Sequence, residues 1–227
     1  MTNQRDAVPL ACIVLLCGAL AGCEAMSQPF PEKDFYAVEV GVPPAPAAKQ
    51  NIAAVRVRRL RIAQPYDGRA FVYRTGPSKF RTDYYHGFIT SPDHLLTGEL
   101  VDWLAGSQLF AAVMDSGGEG EHQYVLDGSV SELCGDYADV NSPKAVVAAR
   151  FFLLDDSGAD TRVVFQKAYR KEAALDGQTP EAMAAGLGAA YREMLAGLTA
   201  DLGAAQLPSG GKPTARGILP QRTGAPE

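Results

Sequence analysis

Four arginines, Arg56, Arg58, Arg59 and Arg61, form the one charge cluster of this sequence that suggests a binding chemistry. A guanidinium group can bind a phosphate through two parallel hydrogen bonds, so the cluster could contact lipid phosphates or an acidic partner. The other interpretation is a solvated strand face, or a strand edge whose charge opposes aggregation. The sequence leaves both interpretations open.

A group of aromatic residues suggests a second candidate surface. Tyr73, Tyr84 and Tyr85 lie close together in the sequence, and aromatic side chains are enriched in protein interfaces. We therefore predict a partner-binding surface that includes these three tyrosines. The plainer alternative is that they fill the core of a sheet.

Residue types that support catalysis or metal binding are scattered. His86, His94 and His122 do not have the i, i+4 spacing of a helical metal site, and Cys134 stands alone. The sequence also lacks the G-x-S-x-G turn that carries a hydrolase nucleophile. We predict no catalytic residue, no metal and no cofactor.

Cys23 is the residue with the most specific context. An apolar run at residues 10–20 is too short to cross a bilayer, which takes about 20 residues, but suits a secretory signal. The run ends in Leu20-Ala21-Gly22-Cys23, which resembles the lipobox of bacterial lipoproteins. We predict that the signal peptide, residues 1–22, is removed and that Cys23 is acylated, with chains such as palmitate. Glu24 after the cysteine favours release to the outer membrane.

Composition and linkers set the domain organisation. The net charge is −5, so neither a strongly basic domain nor nucleic-acid binding is indicated. Residues 23–50 are predicted to hold a lipidated tether, a short strand and a Pro-rich connector, because proline cannot donate to a sheet. Residues 51–205 form the predicted domain, and residues 206–227 lack periodicity and are predicted to be disordered.

The predicted domain alternates strands with two helices. The strand pattern of Ile52–Ile62 changes phase near Arg58-Arg59, and two further strands follow at 70–74 and 79–85, so we expect a meander of hairpins. Later strands are predicted at 124–133, with an interruption at Asp127-Gly128, then at 145–154 and 162–170. Two Pro-started helices have apolar stripes, and they begin at Ser91 and Thr179. The fold class is therefore α+β, an antiparallel or mixed sheet with two amphipathic helices packed on one face.

The order of these elements resembles the ABC-type transport auxiliary lipoprotein family, which includes the paraquat-inducible protein C-like lipoproteins. The resemblance covers about Phe35 to Leu202. Its most distinctive part is Phe71-Val72-Tyr73-Arg74 followed by Tyr84-Tyr85 and the helix start at Ser91-Pro92. Many members have a tryptophan and an acidic residue just before that helix, where this chain has Gly87-Phe88-Ile89-Thr90-Ser91.

The resemblance implies a non-catalytic lipoprotein of an ABC/MCE-type system that moves lipids between two membranes. It implies a lipid anchor in the outer membrane, a periplasmic domain, and an MCE-domain protein and an ABC transporter as partners. It is also compatible with a homo-oligomer. Two alternatives remain: a lipoprotein scaffold for lipopolysaccharide assembly or secretion, and a lipid-anchored enzyme.

Overall fold

A computed structural model describes residues 32–44, residues 51–205 and Leu207. The predicted signal peptide, Cys23, most of the tether, part of the Pro-rich connector and nearly all of the predicted C-terminal tail lie outside the described residues. Within them, the chain forms nine strands and two helices: β1 (Asp34–Tyr36), β2 (Val55–Val57), β3 (Arg61–Ile62), β4 (Ala70–Gly76), β5 (Lys79–Phe88), α1 (Pro92–Ser107), β6 (Val113–Met114), β7 (Tyr124–Asp136), β8 (Lys144–Asp155), β9 (Arg162–Ala174) and α2 (Pro180–Ala204).

The sheet is organised around β7. One edge of β7 pairs antiparallel with β8 along its whole length, and β8 pairs antiparallel with β9. The other edge of β7 pairs in parallel with three short segments in turn, β2, β3 and β4. β4 and β5 form a hairpin, β1 pairs in parallel with β5, and β6 pairs in parallel with β2. The predicted α+β fold with a mixed sheet is confirmed.

The predicted meander of hairpins is wrong for the strand predicted at Ile52–Ile62, which forms the two segments β2 and β3. β2 and β3 do not pair with β4, because both lie along β7, more than sixty residues further on. The predicted change of phase is confirmed: Val57 and Leu60 are both buried although they are three residues apart. The break is stabilised by two donors, Arg58 N to the oxygen of Leu126 (2.9 Å) and Leu60 N to Thr97 Oγ1 (3.0 Å).

β7 is continuous, so the predicted interruption at Asp127-Gly128 is also wrong. Gly128 is needed for packing: a Cβ atom there would lie 2.6 Å from Leu60 Cδ2 and 2.9 Å from Phe151 Cδ1. The register of β7 against β8 shifts further along instead, between Val130 and Glu132. The glycine therefore allows close packing within the strand.

The two predicted helices are confirmed, and they pack against each other on one face of the sheet. Each begins with proline in its first turn, and Thr179 accepts a capping hydrogen bond from Ala182 N. Tyr191 Oη donates to the Leu96 oxygen (2.9 Å), and Trp103 Nε1 donates to Thr199 Oγ1 (3.1 Å). We call this side of the sheet the helix-covered face and the other side the open face.

Residues 37–44 form an extended strap that contacts the helices. β1 ends at Tyr36, and Val40 beyond it is almost fully buried. Arg192 Nε donates to the Val40 oxygen. A Cβ atom at Gly188 would lie 2.5 Å from the oxygen of Glu39, so α2 needs a glycine where the strap crosses it.

Candidate functional site

β5 has a wide bulge opposite β4. Val72 pairs with Thr82 and Ala70 pairs with Gly87, so five residue steps along β5 face only two along β4. Backbone N–H groups in such a bulge lose their ladder partners. The carboxylate of Asp83 replaces them: its Oδ1 accepts from Tyr85 N (2.9 Å) and His86 N (3.1 Å). We call residues 83–86 the tyrosine bulge.

The second oxygen of Asp83 fixes two side chains at the base of the bulge. Tyr73 Oη donates to Asp83 Oδ2 (3.1 Å), and His86 Nδ1 lies 3.0 Å from the same oxygen. Burial acts to raise the pKa of the Asp83 carboxyl, but the hydrogen bonds outweigh burial and hold that pKa below its ordinary value. Burial and then the nearby Asp83 carboxylate raise the pKa of Tyr73, so its hydroxyl stays protonated.

The bulge exposes two of the three tyrosines that the sequence suggested. Tyr84 is 72% exposed and Tyr85 is 39% exposed, and their rings form an edge-to-face pair with centroids 5.0 Å apart. Tyr73 is half-buried below them and packs edge-to-face on Tyr137 at 5.3 Å. The structure therefore separates the predicted set into an exposed pair and a supporting residue.

Sequence reasoning missed Asp83. An Asp inside an otherwise aromatic segment can signal an Asx turn, in which the carboxylate accepts hydrogen bonds from the backbone N–H groups two and three residues further on. That signal was present in Asp83-Tyr84-Tyr85-His86. It was hidden because the whole segment also fits a plain strand.

The arginine cluster is divided between the two faces of the sheet. Arg58 Nη1 and Arg61 Nη2 lie 3.4 Å and 3.2 Å from the carboxylate of Asp127, on the open face. Arg59 points towards the start of α1, where its Nη1 lies 3.9 Å from Asp93 Oδ2. The break between β2 and β3, at Arg58–Leu60, accounts for this division, because it interrupts the alternation of side chains along the strand.

Arg56 has a different environment from its neighbours. Its Nη2 donates to the oxygen of Gly118 (3.2 Å), and this hydrogen bond joins β2 to the loop before β7. Its Nε is buried and has no hydrogen-bond partner among the described residues. The structure therefore does not gather all four arginines into one phosphate site. Phosphate or partner binding stays a prediction, and Arg58 and Arg61 are the two members that remain together.

The histidines and Cys134 are separated in space as well as in sequence. His86 belongs to the tyrosine bulge, His94 lies in the first turn of α1, and His122 Nδ1 contacts the oxygen of Gly120 at 3.2 Å. Burial raises the pKa of the Cys134 thiol to about 11. In the part of the chain that the structure describes, no group of three or more metal-ligating side chains was found. The same part contains no helix that is both long enough and apolar enough to cross a membrane.

Two solved structures share the fold of this chain. A Xanthomonas campestris protein of the DUF330 family aligns with a TM-score of 0.65 and 22% identity, over 73% of this chain and 92% of its own. The structure of an uncharacterized protein aligns with a TM-score of 0.60 and 15% identity, over 75% and 99% of the two chains. A PelC dodecamer from Paraburkholderia phytofirmans aligns more loosely, with a TM-score of 0.43 and 19% identity over 73% and 95%.

The comparison with family models is more specific. No curated protein sequence matched the chain. The model of the ABC-type transport auxiliary lipoprotein component matches residues 36–202, which run from the end of β1 almost to the end of α2. The chain therefore belongs to the family of ABC-type transport auxiliary lipoprotein components.

Proposed function

We propose that this protein is a non-catalytic lipoprotein that assists an ABC/MCE-type system in moving phospholipids between two membranes. It is anchored through acylated Cys23 at the periplasmic face of the outer membrane, and its folded domain binds an MCE-domain protein or the ABC transporter. The observation that carries the proposal is the family match over residues 36–202, together with the apolar run that ends in Leu20-Ala21-Gly22-Cys23.

The tyrosine bulge is the proposed partner contact. Tyr84 and Tyr85 project from β5, and β1 pairs with β5 only from His86 onward, so among the described strands none pairs with the outer edge of Lys79–Thr82. An unpaired edge can accept a strand from another protein through main-chain hydrogen bonds, while exposed aromatic rings supply contact area. This combination favours a protein partner over a small ligand.

The chemistry of the bulge supports a binding role. Asp83 and His86 form a carboxylate–imidazole pair, but Asp83 already accepts hydrogen bonds from two backbone N–H groups and from Tyr73. These bonds hold the bulge in shape, so we assign Asp83 to positioning the tyrosines.

The test is a pull-down of the native, acylated protein from membranes in mild detergent, with mass spectrometry of its partners. We expect an MCE-domain protein or an ABC permease to co-purify with the wild-type protein. The Cys23→Ala variant should no longer sediment with the membranes, and most of the partner should be absent from its pull-down. Light scattering of the same preparation reports whether the protein is also a homo-oligomer.

A double variant locates the contact. Tyr84→Ser with Tyr85→Ser should abolish recovery of the partner, whereas Val140→Ser, which changes an exposed residue elsewhere, should leave it intact. If only components of lipopolysaccharide assembly or secretion co-purify, the transport assignment is wrong and the scaffold function replaces it. Turnover of a lipid or glycan by the purified protein would instead identify an enzyme.

A further inference from the structure

The open face of the sheet is basic, although the chain as a whole carries a net charge of −5. Side chains alternate between the two faces of a strand, so the register of the described strands assigns each charged strand residue to one face. Arg58 lies between β2 and β3, and its contact with Asp127 places it on the open face. Seven cations and four carboxylates lie on the open face: Arg56, Arg58, Arg61, Arg74, Lys144, Arg150 and Arg170, with Asp127, Glu132, Asp136 and Glu172. The acidic residues that give the chain its net charge therefore lie mostly elsewhere.

Ion pairs within the open face do not neutralise it. Asp127 is shared by Arg58 and Arg61, whose side chains remain 56% and 67% exposed. Arg170 contacts both Glu132 and Glu172.

Arg150 stands at the centre of this face. It is exposed, it lies between Ser129 of β7 and Ala168 of β9 in the register, and it has no ion-pair partner among the described residues. Among the residues named above for this face, seven cations against four carboxylates leave an excess of three positive charges.

We propose that the open face docks on an anionic phospholipid bilayer, with Arg58, Arg61 and Arg150 contacting lipid phosphates. The cations nearest the centre are arginines, which bind phosphate bidentately and are more weakly hydrated than lysine. The inference rests on the proposed anchor at Cys23. Even fully extended, the eleven residues from Cys23 to Lys33 span at most about 40 Å, so an anchored domain always has the bilayer within reach.

Apolar side chains interrupt the basic surface in a way that suits a lipid headgroup layer. Phe152 pairs with Asp127 on one side and Gln166 on the other, and it is half-buried on the open face. Leu154 is half-buried one pleat further on, and its register partner on β9, Val163, is exposed. Arginines can contact the lipid phosphates while neighbouring, partly exposed apolar side chains reach the boundary between the headgroups and the acyl chains.

The test uses the mature chain from residue 23 with Cys23→Ala, so that no acyl chain contributes to binding. All described residues are retained. Sedimentation with vesicles of phosphatidylcholine, with and without phosphatidylglycerol, measures the partition coefficient. We expect binding only to the anionic vesicles and a steep loss of binding between 0.05 M and 0.5 M salt, because surface charges are screened.

Single and double variants assign the binding to the open face. Arg150→Ser should weaken partition about fivefold, and Arg58→Ser with Arg61→Ser should weaken it further, since each basic residue near an anionic surface contributes at about this level. Asp127→Asn should strengthen binding. Arg59→Ser is the matched control, because it removes the same charge from the same segment on the other face of the sheet.

The outcomes separate this inference from the proposed function. If the wild-type chain does not bind anionic vesicles, or if Arg59→Ser weakens binding as much as Arg150→Ser, the docking proposal is wrong. The pull-down of the acylated protein can still recover the transport partner in that case. If Arg150→Ser loses that partner but keeps its vesicle binding, the open face is a protein interface and the membrane proposal is again overturned.

Discussion

On the helix-covered face of β8, Phe151 and Leu153 are fully buried, whereas Phe152 and Leu154, one residue along on the open face, are only half-buried. The covered face is held by apolar packing under α1 and α2. The open face is held by ion pairs such as those of Asp127, and it retains solvent-accessible charge. The same strands therefore supply one face that is packed under the helices and one face that combines buried side chains, such as Val146 and Cys134, with exposed charge.

This difference explains where function can be placed. A residue on the helix-covered face contributes to stability through the volume that it fills, so almost any substitution there lowers the free energy of unfolding. A solvated ion pair typically contributes 0–1 kcal/mol, so charge on the open face is free to serve binding. The tyrosine bulge differs from both faces because it lies at the sheet edge. There Asp83 holds the backbone of the segment from which the exposed rings of Tyr84 and Tyr85 project.

The adjacent phenylalanines of β8 give the largest expected effect. Phe151→Ala should lower the free energy of unfolding by about 3–5 kcal/mol, because it leaves a cavity under the helices. Phe152→Ala should cost less than half as much, since its ring is already partly hydrated. Urea unfolding followed by circular dichroism measures both; equal losses would mean that the two faces are equally packed.

Two carboxylates with similar exposure give the next comparison. The Asp83 side chain is 17% exposed and that of Asp127 is 14% exposed. Asp83→Ala leaves two backbone donors and a tyrosine hydroxyl without an acceptor, which should cost about 2–3 kcal/mol. Asp127→Ala frees only two exposed arginines and should cost less than about 1 kcal/mol. The same unfolding assay applies, and an equal cost for both would contradict the assignment of Asp83 as the residue that holds the bulge.

Two helix glycines test the strap. Gly188→Ala places a methyl group against the oxygen of Glu39 and should destabilise the fold by about 1–3 kcal/mol. Gly98→Ala, in α1, meets nothing within 4 Å and should be neutral or stabilising by up to about 1 kcal/mol. Thermal unfolding of the two variants checks the sign of each effect. Stabilisation by both would show that the strap can move away from α2 without cost.

The smallest expected effect is a dependence on pH that comes from the open face. The hydrogen bond from Arg74 holds the pKa of the Asp136 carboxyl below its ordinary value. A depressed folded-state pKa means that the contribution is present above the unfolded pKa and is lost as the pH falls from about 4 downward. Asp136→Asn should therefore be less stable than wild type by up to about 1 kcal/mol near pH 6, with the difference shrinking towards pH 3. A difference that stays constant over this range would rule out the ion pair as its source.

Sequence patterns located the helices and the long hairpins because each depends on local signals. The Pro-started helices at Ser91 and Thr179 and the paired strands predicted at 145–154 and 162–170 were of this kind. The partners of β2 and β3 were not predictable in this way. Parallel pairing joins segments that are far apart in the chain, and the short apolar runs of β2 fit β7 or β4 equally well.

The candidate surfaces were predicted only in part for a related reason. The sequence indicated Tyr84 and Tyr85 by type, but the bulge that exposes them depends on register against β4 and on Asp83. The four arginines were treated as one cluster, although alternation along the strand and the break at Arg58–Leu60 send Arg59 to the other face from Arg58 and Arg61. Side-chain direction, set by three-dimensional pairing, decided both cases.

The pairing of β7 with β2, β3 and β4 also has a consequence for the order of folding. β2 and β3 reach their partner on β7 only once residues 124–136 are available, whereas β4, β5 and β1 can pair with one another earlier. Closing such long loops lowers the conformational entropy of the chain before the strand contacts stabilise it, and this entropy cost slows folding. If the chain is exported unfolded, as the proposed signal peptide implies, β2 and β3 cannot complete the sheet before the β7–β8 hairpin is available.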